Sequence, residues 1–276
     1  MSKNNIDREV VNSFGNEWNF YNQSELSKKE LSLIFKEYFS IFPWENLPSN
    51  AIGFDLGCGS GRWAKCVAPN VHHLHCLDPS TSINVAKDNL KDNLNCSFHQ
   101  KSVDDIPFED NSMDFGYSLG VLHHIPDTQD GLNICVSKLK KGAPFLVYLY
   151  YAFDNQPIWY KIIWKFSDFF RKIICESPFL FKIISTNLIA GLIYLPLSKF
   201  SKLMHFIGFN VKSFPLNNYK DKSFYTMRTD ALDRFGTKLE LRYTRKEIEN
   251  MMINSGLCNI KFSDSEPFWV AVGYKK

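Results

Sequence analysis

Three glycines at alternate positions follow an aspartate in the stretch GFDLGCGSGRWAKCV, residues 53–67. They are Gly57, Gly59 and Gly61. A glycine-rich turn between a strand and a helix lets a ligand approach the backbone, because bare amide groups and the helix N-terminus face it. Asp55 precedes the glycines, and Asp78 stands at the predicted end of the next strand, where a carboxylate can bind both hydroxyls of a ribose. Together these residues predict a site for a nucleotide-like ligand.

The spacing of the glycines argues against a nicotinamide cofactor. The dinucleotide pattern Gly-x-Gly-x-x-Gly would need its third glycine at position 62, but this chain has Arg62 there and places the glycine at Gly61.

Two neighbouring histidines are candidates for a general base. His123 and His124 follow the predicted fourth strand, at the edge where open α/β sheets bind ligands, so either could take a proton from a hydroxyl or an amine. A structural or pocket-lining role is the alternative. Tyr150 and Tyr151 end the predicted fifth strand at the same edge, which favours a place at the rim of the site.

A polar yet aromatic segment, YKDKSFYTMRTDALDRF, covers residues 219–235. Tyr219, Tyr225 and Arg228 could bind a polar substrate there, since arginine forms paired hydrogen bonds to carboxylate or phosphate. A salt-bridged structural loop explains the same residues equally well.

No metal site is predicted. His73 and His75 share one face of the predicted second strand while Cys76 points to the other, so these residues do not close a ligand set.

The candidate residues named above lie in a sequence whose patterns alternate between strand and helix. Short apolar strands ending near Asp55, Asp78, residue 99, Leu119 and Tyr151 are separated by helical segments, and two further strands follow a helix that begins at residue 244. The pattern predicts an α/β fold with a Rossmann-like, seven-stranded, mostly parallel sheet and helices on both faces.

The alternation is interrupted once. Residues 152–243 are rich in aromatic residues, isoleucine and lysine, and they predict a helical and looped insertion between the fifth strand and the last helix. The predicted organisation is therefore an N-terminal helical cap over residues 1–49, a core over 50–151 and 244–276, and the insertion. The insertion could roof a substrate pocket or form a dimer interface.

Composition narrows the function classes. The chain has 276 residues, 45% of them hydrophobic, and a formal net charge of +3 without a basic tail, which argues against nucleic-acid binding. Seven cysteines without a Cys-x-x-Cys pair indicate a reducing compartment, and the polar N-terminus lacks the apolar core of a signal peptide. We therefore expect a cytoplasmic protein, as a monomer or a homodimer.

The longest apolar stretch, NLIAGLIYLPL at residues 187–197, has about half of the roughly 20 residues that a membrane-spanning helix needs. We expect an ordinary packed helix here. Flanking lysines would also allow a helix that lies on a membrane surface.

Several motifs resemble those of the class I S-adenosylmethionine-dependent methyltransferases. The run DLGCGSG at residues 55–61 is similar to that family's first motif, and Asp78 resembles its ribose-binding acid. Residues 102–127 resemble the segment that covers the adenine site and the fourth strand, and LKKGAPFLVYLYY at residues 139–151 resembles the turn into the fifth strand.

The resemblance implies S-adenosylmethionine as cofactor and S-adenosylhomocysteine as product. It assigns cofactor contacts to Asp55, Gly57, Cys58, Gly59, Gly61, Asp78, Pro79, Ser102, Val103, Asp104, Leu119 and Trp18. The family often has an acid after the third strand that binds the adenine amino group; here Ser102 stands at that position, so Ser102 with the Val103 backbone, or Asp104, would take the role. Trp18 belongs to an aromatic segment that covers the cofactor in similar proteins or, alternatively, packs as a tail against the core.

The implied reaction is direct in-line displacement, because the sulfonium carries its own leaving group. The expected acceptor is oxygen or nitrogen of a small molecule, with sugars and lipid-linked compounds included. The alternative is a non-catalytic module that binds the cofactor or its product and acts through a protein partner.

Overall fold

The computed structural model describes residues 5–211 and 213–276. Within them, the helices are α1 (Arg8–Phe20), α2 (Lys28–Tyr38), α3 (Ala64–Val67), α4 (Ser82–Asn89), α5 (Thr128–Lys138), α6 (Ile158–Ile174), α7 (Phe179–Ile189), α8 (Leu195–Phe206), α9 (Phe224–Gly236) and α10 (Arg245–Asn254). The strands are β1 (Ile52–Leu56), β2 (His73–Leu77), β3 (Cys96–His99), β4 (Phe115–Leu119), β5 (Pro144–Tyr148), β6 (Leu257–Phe262) and β7 (Val270–Lys275).

The described residues form one seven-stranded sheet in the order β3-β2-β1-β4-β5-β7-β6. The first five strands are parallel to their neighbours, and β7 runs antiparallel between β5 and β6. The predicted Rossmann-like, mostly parallel sheet is confirmed. Its parallel strands all end at one edge, so the residues after β1, β2, β4 and β5 lie along that edge.

Helices cover both faces of the sheet, as predicted. Successive side chains of a strand point to opposite faces, and on β5 this places Leu146 in one core cluster and Phe145 with Val147 in the other. The first cluster includes Phe39 and Ile83, while the second includes Leu132 of α5. Two buried apolar clusters, one on each face of the sheet, therefore hold the ends of the strands in fixed positions.

The described chain divides into two compact units. The first contains residues up to 23, residues 31–152 and residues 239–276, and the second contains Ser24–Glu30 and Phe153–Lys238. The core thus resumes at residue 239, before the helix at which the sequence placed its return. Backbone bonds explain the earlier boundary, because the Leu241 amide donates to the His123 carbonyl and the Tyr243 amide to the Tyr150 carbonyl.

Helices α1 and α9 were not predicted from the sequence. Asp7 caps α1 by accepting hydrogen bonds from the amides of Glu9 and Val10, at 2.9 and 3.2 Å. Ser223 caps α9 by accepting from the Thr226 amide at 3.2 Å. Both helices carry many polar residues, so their apolar periodicity is weak, and the caps were the available signal.

In the second unit, α7 and α8 form one continuous helix, Phe179–Phe206, through a π-helical segment at Ala190–Tyr194. This helix has 28 residues, a mean hydropathy of 1.6 in its most apolar window and only 28% of that window buried. It is the one helix among the described residues that is long and apolar enough to cross a membrane by length and composition. The apolar stretch at residues 187–197 is part of a helix longer than the stretch itself, since neighbouring residues extend it.

Candidate functional site

The glycine turn after β1 is fixed against the end of β2. The amides of Gly57 and Cys58 both donate to the Leu77 carbonyl, at 2.8 and 2.9 Å. Gly57, Gly59 and Gly61 have φ values of +76°, +53° and +77°, which L-residues with side chains rarely adopt. The turn therefore depends on glycine for its backbone shape.

All three glycines also face close neighbours. A Cβ atom on Gly57 would lie 2.3 Å from a methyl group of Val121, and one on Gly59 would lie 3.1 Å from the indole nitrogen of Trp18. The structure thus brings Trp18 onto the glycine turn, and its contact with a cofactor remains a prediction. Val121 belongs to the segment after β4, so it links the glycine turn to the histidines that follow.

The Asp78 carboxylate holds the turn to the segment that opens α4. It is buried, with 7% exposure, and its Oδ2 accepts from the Gly59 amide at 3.0 Å. Its Oδ1 accepts from the Ser80 amide at 2.9 Å and from the Ser80 hydroxyl at 2.6 Å. A carboxylate offers about four acceptor positions, so one remains for a ligand hydroxyl beyond these three bonds.

Asp55 lies on β1, the strand next to β2, and it is 1% exposed. Burial raises the pKa of its carboxyl group to about 8, against an opposing contribution from the Tyr117 hydroxyl and with a further increase from Asp78. Oδ2 of this carboxyl group has no hydrogen-bond partner within the described part of the chain. A buried carboxyl group of this kind suits a cationic ligand, which would favour its ionised form.

His123 sits in a short turn, Leu122–His124, directly after β4. Its ring is fully buried between those of His124 and Tyr150, each with a centroid distance of 3.9 Å. Neither ring nitrogen has a hydrogen-bond partner among residues 5–211 and 213–276. Burial, with smaller contributions from His124 and Arg242, lowers the pKa of His123 well below its ordinary value. The imidazole is therefore neutral at neutral pH.

His124 has a structural contact. Its Nδ1 lies 2.6 Å from the Leu239 carbonyl oxygen, so this nitrogen carries the proton that it donates. The Phe14 ring packs on His124 with a centroid distance of 4.9 Å. Of the two candidate bases, His123 is therefore the one whose ring nitrogens are not held by a hydrogen bond among the described residues.

Arg242 and Glu240 complete this part of the site, and the sequence analysis missed both. The Arg242 guanidinium lies 5.1 Å from the centre of the Tyr150 ring and donates to the Tyr151 carbonyl at 3.1 Å. Its Nε donates to Glu240 at 2.8 Å, and the two side chains are only 12% and 1% exposed. Both residues lie within residues 152–243, the range that the sequence predicted as the insertion.

The predicted adenine segment joins the chain's N-terminal part. Ser102 precedes a short turn, Val103–Asp105, in which Val103 is buried. Oδ2 of Asp104 accepts from the Asn5 amide at 2.7 Å. The Asn5 side chain also exchanges two hydrogen bonds with the backbone of Asp127, at 2.7 and 2.8 Å.

Cofactor roles for Ser102, Val103 and Asp104 remain predictions, as do those for Cys58, Pro79 and Leu119. Cys58 and Leu119 are buried, and Leu119 ends β4 beside Tyr148.

The three predicted substrate residues of the insertion lie in the second unit. The Tyr219 hydroxyl donates to Asp230 at 2.9 Å, and Tyr225 is buried with 7% exposure. The Arg228 guanidinium lies over the rings of Phe224 and Tyr225. These contacts belong to a packed helix, α9, where the sequence suggested a loop, and the binding role of the three residues remains a prediction.

The histidines of β2 make contacts of their own. His75 Nδ1 lies 3.2 Å from His99 Nε2, and burial lowers the pKa of His75 to about 4. Among the described residues, no three His, Cys, Asp or Glu side chains are grouped as metal ligands would be.

Comparisons with known proteins identify a methyltransferase domain. Residues 54–147 match the model of the methyltransferase domain family. A 100-residue part of the chain, 35% of its length, is 31% identical to phosphoethanolamine N-methyltransferase 2 of Caenorhabditis elegans and spans 23% of that protein.

Solved structures are similar to this chain at low sequence identity. One chain in a complex of the Haloferax volcanii Trm112 methyltransferase activator is similar with a TM-score of 0.53 and 14% identity, over 96% of this chain and 98% of that one. A phosphoethanolamine N-methyltransferase 2 of Haemonchus contortus, solved with phosphomonomethylethanolamine and S-adenosylhomocysteine, gives a TM-score of 0.49 and 15% identity, over 92% of this chain and 43% of that one.

S-adenosylmethionine, the methyl donor of this class, fits the residues described above. It carries two cationic groups, for which the buried Asp55 carboxyl group has an unused oxygen, and a ribose, for which Asp78 keeps one acceptor position. The chain therefore carries a methyltransferase domain at residues 54–147, and its sheet order and this set of residues are those expected of a class I S-adenosylmethionine-dependent methyltransferase.

Proposed function

We propose that this enzyme methylates a hydroxyl oxygen or an amine nitrogen of a small molecule. The observation that carries the proposal is His123, a neutral and fully buried imidazole whose two nitrogens have no partner in the described residues. It lies against Tyr150, at the strand edge that also holds the glycine turn. A neutral imidazole at this position can accept a hydrogen bond from an acceptor that must lose a proton.

The lowered pKa of His123 favours a hydroxyl acceptor over an amine. Methylation of a hydroxyl group produces a protonated ether, which is a far stronger acid than imidazolium, so even a weakly basic histidine can take its proton. A newly formed alkylammonium is a much weaker acid and keeps its proton beside such a group. The best-supported reaction is therefore O-methylation, with the proton passing to a nitrogen of His123 as the carbon–oxygen bond forms.

The remaining groups position the reactants. S-adenosylmethionine supplies the methyl group and the leaving group together, so the chain needs only to orient them. Asp78 and the amides of the glycine turn would hold the ribose side, and Asp55 would hold the cationic side. Arg242, fixed by Glu240 and the Tyr151 carbonyl, keeps the Tyr150 ring in place beside His123.

Nitrogen acceptors enter as a second candidate because of the similarity to a phosphoethanolamine N-methyltransferase. That similarity covers only 35% of this chain and 23% of the relative. It supports the inclusion of phosphorylated amino alcohols among the compounds tested.

The first test is calorimetric titration with S-adenosylmethionine and S-adenosylhomocysteine. We expect binding by the wild-type protein, a large loss in Asp78→Ala and no change in Asp88→Ala, a matched variant at an exposed acid of α4. Retained affinity in Asp78→Ala would remove Asp78 from the cofactor site.

The second test measures release of S-adenosylhomocysteine with sugars, lipid-linked sugars, alcohols, amines and phosphoethanolamine as acceptors. Turnover with hydroxyl compounds is the expected result. Turnover only with thiols, protein or RNA would overturn the proposed acceptor class. Tight cofactor binding without turnover of any acceptor would favour a module that acts through a protein partner.

A further inference from the structure

Helix α6 turns its apolar side outward and its polar side inward. Eight of its large apolar side chains are between 44% and 78% exposed, including Ile162, Phe166 and Phe169. On the opposite side, Arg171 is buried, and it donates to Asp168 at 2.6 Å and to the Thr237 carbonyl at 2.8 Å. A helix of a water-soluble domain has the reverse arrangement.

The helix Phe179–Phe206 shows the same inversion. Leu180, Leu192 and Phe206 are 69%, 74% and 87% exposed. Its buried side instead carries Lys182, whose Nζ donates to the Gly236 carbonyl at 2.9 Å, and Thr186, which is fully buried. Since polar groups are satisfied inside and apolar groups face outward on both helices, their outer faces match an apolar environment rather than water.

The net charge of this region favours a lipid surface over a second copy of the chain as the partner of these apolar faces. Residues 153–209 contain seven Lys and Arg but only three Asp and Glu, an excess of four positive charges. Lys165 and Lys199 are exposed beside the apolar faces. A two-fold interface would pair this positively charged surface with a copy of itself, whereas anionic lipid headgroups complement it.

The same charges favour a surface position over a membrane span. Helix α6 carries a charged residue in nearly every turn. In the longer helix, the residues between Lys182 and Lys199 are uncharged, but 183–198 amount to only 16 residues. A spanning helix needs about 20, and these 16 include buried hydroxyl groups.

We propose that the outer faces of α6 and of the helix Phe179–Phe206 bind the surface of a membrane that contains anionic lipids. The exposed aromatic and aliphatic side chains enter the boundary between headgroups and acyl chains, and the lysines bind the headgroups. This proposal concerns the surface alone and does not depend on which molecule the enzyme methylates.

Vesicle flotation with the full-length protein tests the proposal. We expect the protein to float with vesicles of phosphatidylcholine and 30% phosphatidylglycerol, and less with phosphatidylcholine alone. Substituting Phe166→Ser together with Phe169→Ser should lower the bound fraction at least tenfold. Leu94→Ser, at a side chain that is 94% exposed in the first unit, is the matched control and should change nothing. Lys165→Glu with Lys199→Glu should lower binding to anionic vesicles at least fivefold.

Three results would overturn the proposal. The first is wild-type protein that floats with neither kind of vesicle. The second is a dimer in solution that Phe166→Ser with Phe169→Ser converts to a monomer without any effect on flotation, since the faces would then bind a second copy. The third is protein that resists extraction from membranes at pH 11, which would indicate a membrane span. Circular dichroism of each variant confirms that loss of binding is not loss of fold.

Discussion

We expect Asp55 to couple cofactor binding to proton release. Its pKa of about 8 in the ligand-free protein means that the carboxyl group is mostly protonated at pH 7. A cationic ligand binds the ionised form, so the proton must leave when S-adenosylmethionine arrives. We expect nearly one proton released per bound molecule at pH 7, with affinity that rises as the pH is increased toward 8.

Calorimetry at pH 7 in buffers of different ionisation enthalpy measures that proton directly. Asp55→Asn is the comparison, because it keeps the shape of the side chain and removes its ionisation. Equal proton release by both proteins would assign the effect to another group.

His123 should give the reaction an unusual pH dependence. Because its pKa lies well below the ordinary value, the imidazole stays neutral as the pH falls through 6.5, where a typical histidine loses half of its base form. We expect kcat for a hydroxyl acceptor to remain flat from pH 8 to below 6.5 and to decrease only at lower pH.

Substitution of the same residue separates catalysis from binding. His123→Gln should lower kcat by about 100-fold or more and leave the dissociation constant of S-adenosylhomocysteine unchanged. Rate profiles and titrations of both proteins test this, and an unchanged kcat would restrict His123 to packing.

At the scale of residues, the sequence predicted the groups that belong to one continuous motif. Asp55, the glycines and Asp78 lie within a strand, a turn and the next strand, whose geometry is local. Arg242 was missed because it comes almost a hundred residues after the Tyr150 ring on which it lies, and no spacing rule connects them.

At the scale of structural elements, the geometry of the glycine turn allows a specific prediction about stability. Gly57→Ala combines a left-handed backbone, which costs about 1–2 kcal/mol, with a clash against Val121, which costs about 1–3 kcal/mol. Gly142→Ala has a nearly identical φ of +78° and no atom within 4 Å of its Cβ position, so it should show the backbone cost alone. Urea unfolding measures both, and Val121→Ala should restore part of the stability only in the Gly57 variant.

The inverted helix α6 makes a second prediction at this scale. Arg171→Leu leaves Asp168 without its nearest partner and removes the bonds to the carbonyls of residues 237 and 238. We expect a loss of about 3–5 kcal/mol in unfolding free energy, as for other broken buried ion pairs. Lys172→Leu, at the exposed neighbour that lies 3.5 Å from the same carboxylate, should cost about 0.5 kcal/mol or less. Thermal unfolding of the two variants compares them, and equal losses would contradict the assignment.

Elements with a strong local signal were predicted well. The helix expected to begin at residue 244 is α10, where Thr244 and Glu247 form a capping box with both of its hydrogen bonds present. Helix α9 was missed because it is stabilised by packing within the second unit, where Met227 and Ala231 are fully buried, and not by an apolar face that the sequence displays.

At the scale of the whole molecule, the amino-acid composition gave no sign that helices of the second unit expose their apolar faces. Average hydrophobicity is the same whether an apolar side chain points inward or outward, so the stretch at residues 187–197 predicted a packed helix. Only the structure shows that Leu192 is 74% exposed while Thr186 and Ser198 are fully buried. The class of fold could be predicted from the order of strands, whereas the surface chemistry required knowledge of which face each helix buries.

The position of β7 between β5 and β6 has a consequence during protein synthesis. The β5 strand ends at Tyr148, and its antiparallel neighbour begins at Val270, so 122 residues must be translated before that edge of the sheet is paired. At about 5–20 residues per second, the edge stays open for roughly 6–25 seconds on the ribosome. The apolar helices of the second unit emerge within this interval, when unpaired strand edges are most prone to wrong pairing. The nascent chain therefore exposes its two most aggregation-prone features together, and it should depend on chaperones until its last strand is released.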